Sequence, residues 1–179
     1  MKPGRGNIED KIYSSRQSQE LPFSGSILFT HSFTGCDTTC AISNKDKLSI
    51  LKCSLKMPNE TKAIVVILYD PTSTPDAVAQ AGEEMSLTMY QAPPSERDLN
   101  NRRYNSFVKS STKIKANLAS LPPTIGAAKR HSFTVYSPTQ QWLLNDSFNP
   151  ACWGWVRDGG RVLSPVITTD PIAPHSALI

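Results

Sequence analysis

Prolines set the first limit on what this chain can build. Fourteen of them fall among 179 residues and cut the chain into short pieces. Each fixes its own φ, lacks a donor N–H and holds the preceding residue away from the helical region. Apolar residues make up 39%, below the ~45–50% usual for globular chains. Charged residues make up only 19%, which excludes charge-driven disorder, collagen and coiled coil. No apolar run reaches the ~18 residues of a membrane span. The opening Met1-Lys2-Pro3-Gly4-Arg5-Gly6 leads into no apolar stretch, so a secretory leader is not expected. Free thiols are then expected at Cys36, Cys40, Cys53 and Cys152.

Between the prolines, the pattern is mostly helical. Ser26 suits the cap of a short helix over 27–33 that Gly35 stops. A second helix runs from Asn44 to about Lys56. Ile42, Leu48, Leu51 and Leu55 fit one face, Lys45, Lys47, Lys52 and Lys56 the other, and Pro58 ends it. Residues 63–69 are apolar and rich in β-branched side chains, and strand and buried helix both fit. Thr74-Pro75-Asp76 is a strong helix start, followed by Val78, Ala81, Met85, Thr88 and Met89 at helical spacing. Ser95-Glu96 opens another helix, with Leu99, Arg103 and Phe107 on one side. Leu121-Pro122-Pro123-Thr124 begins a helix with Ile125, Ala128, Val135, Trp142 and Leu143 inward. Pro138 should kink or split it. Trp153 to Leu163 reads as a β-hairpin turning at Asp158-Gly159-Gly160.

The predicted fold class is therefore mainly α, with about five helices, a short C-terminal β-hairpin and extended tails. Residues 1–22 form a flexible lead-in, 23–164 a helical domain ending in the hairpin at 153–163, and 165–179 an extended proline-rich tail. The chain reads as a fragment of a larger fold.

The net charge is +4, but it is unevenly placed. Residues 95–130 hold eight cations against Glu96 and Asp98, a net +6. That stretch, with Arg102, Arg103, Lys129 and Arg130, and the lysine helix, with Lys45, Lys47 and Lys52, are the candidate nucleic-acid contacts. The alternative is solvated helix faces. His31, Cys36, Cys40 and Cys53 lack the paired knuckles of common zinc sites. No phosphate loop, dinucleotide fingerprint, nucleophile elbow or zincin motif is present.

Three blocks carry a resemblance. His31-Ser32-Phe33-Thr34-Gly35-Cys36-Asp37-Thr38-Thr39 comes first. Leu121-Pro122-Pro123-Thr124 follows, with His131, Tyr136, Gln141 and Trp142. Trp153-Gly154-Trp155, Leu163-Ser164-Pro165-Val166-Ile167-Thr168 and Ala173-Pro174 close the series. Together they resemble a large uncharacterised group of animal proteins of mobile-element descent. The first block is also distantly similar to the metal-binding turn of flap-endonuclease-like nuclease folds. That likeness implies the C-terminal half of a nuclease fold, with Asp37 as a vestigial metal carboxylate and Mg²⁺ or Mn²⁺ bound only if hydrolysis is retained. The residue-level reading of Asp37 favours instead a helix cap or turn residue whose carboxylate accepts from nearby amides.

Two-metal hydrolysis needs several hard oxygen ligands, and the sequence supplies one. The expected function is thus a non-catalytic or vestigial nuclease-like fragment with at most weak nucleic-acid binding. No membrane partner is expected, and the location is intracellular, in the nucleus rather than the cytoplasm. The rivals are an active metal-dependent nuclease completed by an N-terminal region, and a protein-interaction module using the tryptophan hairpin and tail.

Overall fold

The computed structural model describes residues 24–39, 41–42, 45–112, 117–145, 148–159 and 162–166. The lead-in and nearly all of the tail lie outside them. Six α-helices form among the described residues, and a two-stranded antiparallel hairpin follows. They are α1 (Ile27–Phe33), α2 (Lys47–Lys56), α3 (Pro58–Tyr69), α4 (Pro75–Met89), α5 (Leu99–Ser111) and α6 (Ile125–Trp142), then β1 (Trp155–Asp158) and β2 (Val162–Pro165). The mainly α class with a C-terminal hairpin is as predicted. The helix beyond five is α3, the segment whose period fits either state. No helix among the described residues is long and apolar enough to cross a membrane.

Local chemistry explains most boundaries. Asp46 caps α2 by accepting from the Ser49 amide at 2.9 Å. Thr74 caps α4 through the Ala77 amide, and Pro75 occupies the first turn. Asp98, not Ser95, caps α5, accepting from the Asn101 amide at 2.9 Å. Pro58 does more than end α2. It opens α3 in the first turn, where its missing N–H is harmless. Ser26 stands at the α1 N-cap, but its side chain makes no capping bond. The Tyr69 phenol oxygen accepts from the Phe29 amide instead, at 3.2 Å.

α6 is the axis. It packs on α1, α3 and, most extensively, α4. Its residues from Ser132 to Gln140 are all buried. Phe133, Val135 and Tyr136 meet Phe29 and Phe33 of α1, Leu68 of α3 and Met85 of α4 in one core. Pro138 sits inside α6 without splitting it. A proline in a helix costs ~3 kcal/mol locally, and burial of the surrounding turns on several neighbours offsets that. Trp142, expected inward, is 39% exposed.

Two helix faces differ from expectation. On α2 the buried residue is Ile50, while Leu48 and Leu55 are 57% and 59% exposed. On α5 only Leu99 is buried, while Tyr104, Phe107 and Val108 face out. α5 leans on α4 at one end, so one apolar anchor suffices.

The α4–α6 contact is close because Gly82 faces Ser132. A Cβ at Gly82 would overlap the Ser132 hydroxyl and come within 2.6 Å of its Cβ. Glycine costs ~1 kcal/mol in a helix interior relative to alanine, so close approach is what it provides. Gly82→Ala should therefore destabilise the protein by about 2 kcal/mol despite its better propensity. Ser132→Gly added to Gly82→Ala should recover at least half of that loss. Urea unfolding of the double-mutant cycle measures it, and additive effects would contradict the contact.

Candidate functional site

The first block folds into a tight helix end. Gly35 has φ +102°, and a Cβ there would lie 2.6 Å from the Ala41 Cα. Only glycine accepts both constraints. Thr34 Oγ1 donates to Thr30 O at 2.6 Å and Thr39 Oγ1 donates to Ser32 O at 2.6 Å. His131 Nε2 lies 2.8 Å from Phe33 O. A carbonyl only accepts, so Nε2 carries the proton and Nδ1 is left as the acceptor. The last carbonyls of α1 are thus met by three side chains from this turn and α6.

Cys36 and Asp37 point to different ends. Cys36 Sγ lies 3.2 Å from both the Thr38 and Thr39 hydroxyls. Burial pushes the Cys36 thiol up, but hydrogen bonds from Thr38 and Thr39 more than reverse this and hold it below its ordinary value. The Thr39 proton is already given to Ser32 O, so Thr38 is the hydroxyl free to support a thiolate. Asp37 is exposed and makes no hydrogen bond or ion pair with the described residues.

Asp37 stands instead at the wall of a cleft of about 470 Å³. Thr38 and Thr39 continue that wall, Pro138 and Gln141 of α6 face it, and Trp155 and Pro165 of the hairpin close it. All three sequence blocks meet here. Trp155 is 9% exposed and its indole Nε1 has no hydrogen-bond partner among the described residues. Trp153 packs away from the cleft. Its ring centroid lies 4.3 Å from that of Tyr136 and 5.6 Å from those of Phe133 and Phe148. The sequence points to one core-facing and one outward tryptophan. The structure uses both, one in an aromatic cluster and one against the cleft. Pro138, Ser137 and Pro150 were not singled out as cleft residues by their sequence, because nothing local marks a wall built from distant segments.

The predicted cations are dispersed, and several serve the fold. Lys45 Nζ donates to Met89 O at 2.9 Å and lies 4.4 Å from the centre of the Tyr90 ring. Burial pushes its ammonium below the ordinary value. Arg102 Nη2 donates to Tyr90 O at 2.6 Å and Gln91 O at 3.2 Å. These cations cover the negative end of α4. Arg103 donates to Pro122 O, and Lys47 to Gly35 O at 3.0 Å. Lys52 and Lys129 are exposed, Arg130 is half-buried, and Lys129 lies over the Phe133 ring at 5.7 Å. Lys113 and Lys115 lie outside the described residues.

Of His31, Cys36, Cys40 and Cys53, the described three do not come together around a common point. The His31 ring packs tilted against Trp142 with centroids 5.6 Å apart, and the Cys53 thiol lies 3.9 Å from Thr88 O. Cys152 is exposed, and Cys40 is outside the described residues. Among those residues no three His, Cys, Asp or Glu side chains are placed to hold a metal ion. No protein-family model, curated protein or solved structure matches the chain.

Burial pushes the His131 imidazole below its ordinary pKa of 6.5, the Phe33 carbonyl opposing only in part. The unfolded chain therefore takes up a proton near pH 6.5 that the folded chain refuses. Stability should be full above that pH and fall below it, by up to about 1.4 kcal/mol per pH unit, until the depressed value is reached. Urea unfolding across this range should show the loss in the native sequence and not in His131→Phe. An unchanged slope in His131→Phe would assign the effect elsewhere.

Proposed function

We propose that this chain is a non-catalytic, nuclease-like module of mobile-element descent that works by binding, with its ligand seat in the cleft between Asp37 and Trp155. One observation carries the reading: the three blocks of the resemblance converge on that cleft. The walls favour an extended, proline-compatible peptide carrying a basic side chain. Trp155, Leu163 and three prolines supply apolar surface, aromatic-lined grooves suit polyproline segments, and Asp37 supplies a negative charge that no described residue pairs.

Weak nucleic-acid binding is the second reading. The exposed Lys52 and Lys129 favour it. Lys45, Lys47, Arg102 and Arg103 are already donating to carbonyls, which leaves less charge for phosphates. A nuclear location belongs with this reading. A metal-dependent nuclease using Mg²⁺ or Mn²⁺ would need further carboxylates beside Asp37, supplied by an N-terminal region or a second chain.

Tryptophan fluorescence and anisotropy distinguish the three. Arginine-containing polyproline peptides should bind with little loss at high salt, and Asp37→Asn should weaken them about fivefold. Duplex and single-stranded oligonucleotides should bind weakly and be released by salt. Cleavage of a flap or duplex substrate with Mg²⁺ or Mn²⁺ would overturn the non-catalytic assignment. Failure of every peptide together with salt-sensitive oligonucleotide binding would transfer the function to the lysines.

A further inference from the structure

A second pocket lies on the other side of Pro165, which lines both. Its volume is about 200 Å³. An apolar cavity of ~150 Å³ is enough to hold a benzene ring. Ile42, Leu121, Pro123, Val166 and the Tyr90 ring give it apolar walls, and His131, Ser86, Thr134 and the Tyr90 phenol oxygen are its polar groups.

Counting protons defines what it can recognise. The Ser86 hydroxyl donates to Gly82 O at 2.8 Å, and the Thr134 hydroxyl donates to His131 O at 2.9 Å. His131 has its proton on Nε2, committed to Phe33 O at 2.8 Å. The Ser86 and Thr134 hydroxyl protons and the His131 ring proton are therefore spent inside the fold. What remains on these three side chains are lone pairs, and the strongest acceptor is the imidazole Nδ1. Burial favours the neutral ring that keeps this lone pair. A wall of this kind rewards a ligand that is apolar and brings one donor of its own.

We propose that this pocket binds a small one-ring aromatic molecule bearing a single hydrogen-bond donor, a phenol in the simplest case, with His131 Nδ1 as the acceptor. The proposal does not rest on the ligand of the cleft, although Pro165 borders both pockets. Pinning of the Nε2 tautomer by the α1 carbonyl is what makes Nδ1 available, so the helix end and the pocket are built by one side chain. The apolar walls supply affinity and the single acceptor supplies selectivity.

The full chain titrated with 4-methylphenol and with its isostere 1,4-dimethylbenzene tests this. The phenol should bind about fivefold to tenfold more tightly, as expected for one added hydrogen bond. It should also move the His131 Nδ1 resonance in nitrogen-detected NMR. Ala127→Leu, one helical turn before His131 on the same pocket wall, fills the pocket while leaving the His131 ring in place, and should abolish binding of both molecules with the helical circular dichroism unchanged. His131→Phe, where it folds, should bind the two equally. Equal affinity of the native chain for both molecules, an unmoved Nδ1 resonance, or full binding by Ala127→Leu would each overturn the proposal.

Discussion

The structure depends on buried polar side chains of α6 that finish other helices. α1 has seven residues, far fewer than an isolated helix needs. Every helix leaves its last four carbonyls without partners, and a buried one left bare costs ~1–3 kcal/mol. α6 meets this demand at two ends. His131 takes Phe33 O of α1. Gln140 Nε2 donates to Leu68 O of α3 at 2.9 Å, and the Tyr136 hydroxyl donates to Asp70 O at 2.6 Å. Ser73 adds a bond to Ile67 O at 2.7 Å. Burial and the Asp70 carboxylate push the Tyr136 phenol up to about 12, so it stays a donor. Gln140 is in turn held by Asn145 at 2.7 Å. The core forms around a helix that is polar by composition because its polar groups are already spoken for.

That arrangement decides what could be read from the sequence. Signals that live within a few residues were legible: the Thr74-Pro75 start, the stop at Gly35 and the hairpin after Trp153. The segment at 63–69 was not, because an all-round apolar run has no period to choose between strand and helix. What makes it helical is Pro58 at its start and α6 side chains waiting at its end. α6 itself misleads most. Its periodicity picks out Ala128 and Val135 correctly, yet it cannot mark Ser132, Thr139 or Gln140 as buried, since the segments they pack against, at Gly82, Ser32 and Leu68, lie far away in the chain. Ser32 Oγ and Thr139 Oγ1, 3.2 Å apart, are separated by 107 positions. Pro138 is tolerated for the same reason, as tertiary contact overrides local preference.

The candidate site shows the same division. Basic residues clustered in sequence suggested a polyanion surface, but Lys45 and Arg102 converge on the exposed carbonyls that end α4. A lysine stretch is visible in sequence, whereas the carbonyls it serves are not. The cleft is the converse case. Its members come from three separated blocks, and only the resemblance suggested that those blocks belong together.

The turn after α1 separates structural from available residues. Phe33 is in the core, Thr34 and Thr39 bond carbonyls, Gly35 supplies the backbone reversal, and Cys36 is ringed by hydroxyls. Folding accounts for each of these side chains. It does not account for Asp37, whose carboxylate is exposed and bonds to nothing described, at the edge of a cleft floored by an indole that also lacks a partner. Among the described residues no second carboxylate joins Asp37 to hold a metal ion. A single carboxylate can hold one cationic group against an apolar wall, where reduced solvent strengthens the pairing. On the proposed reading, the cleft beside Asp37 is where a cation on a ligand would be recognised.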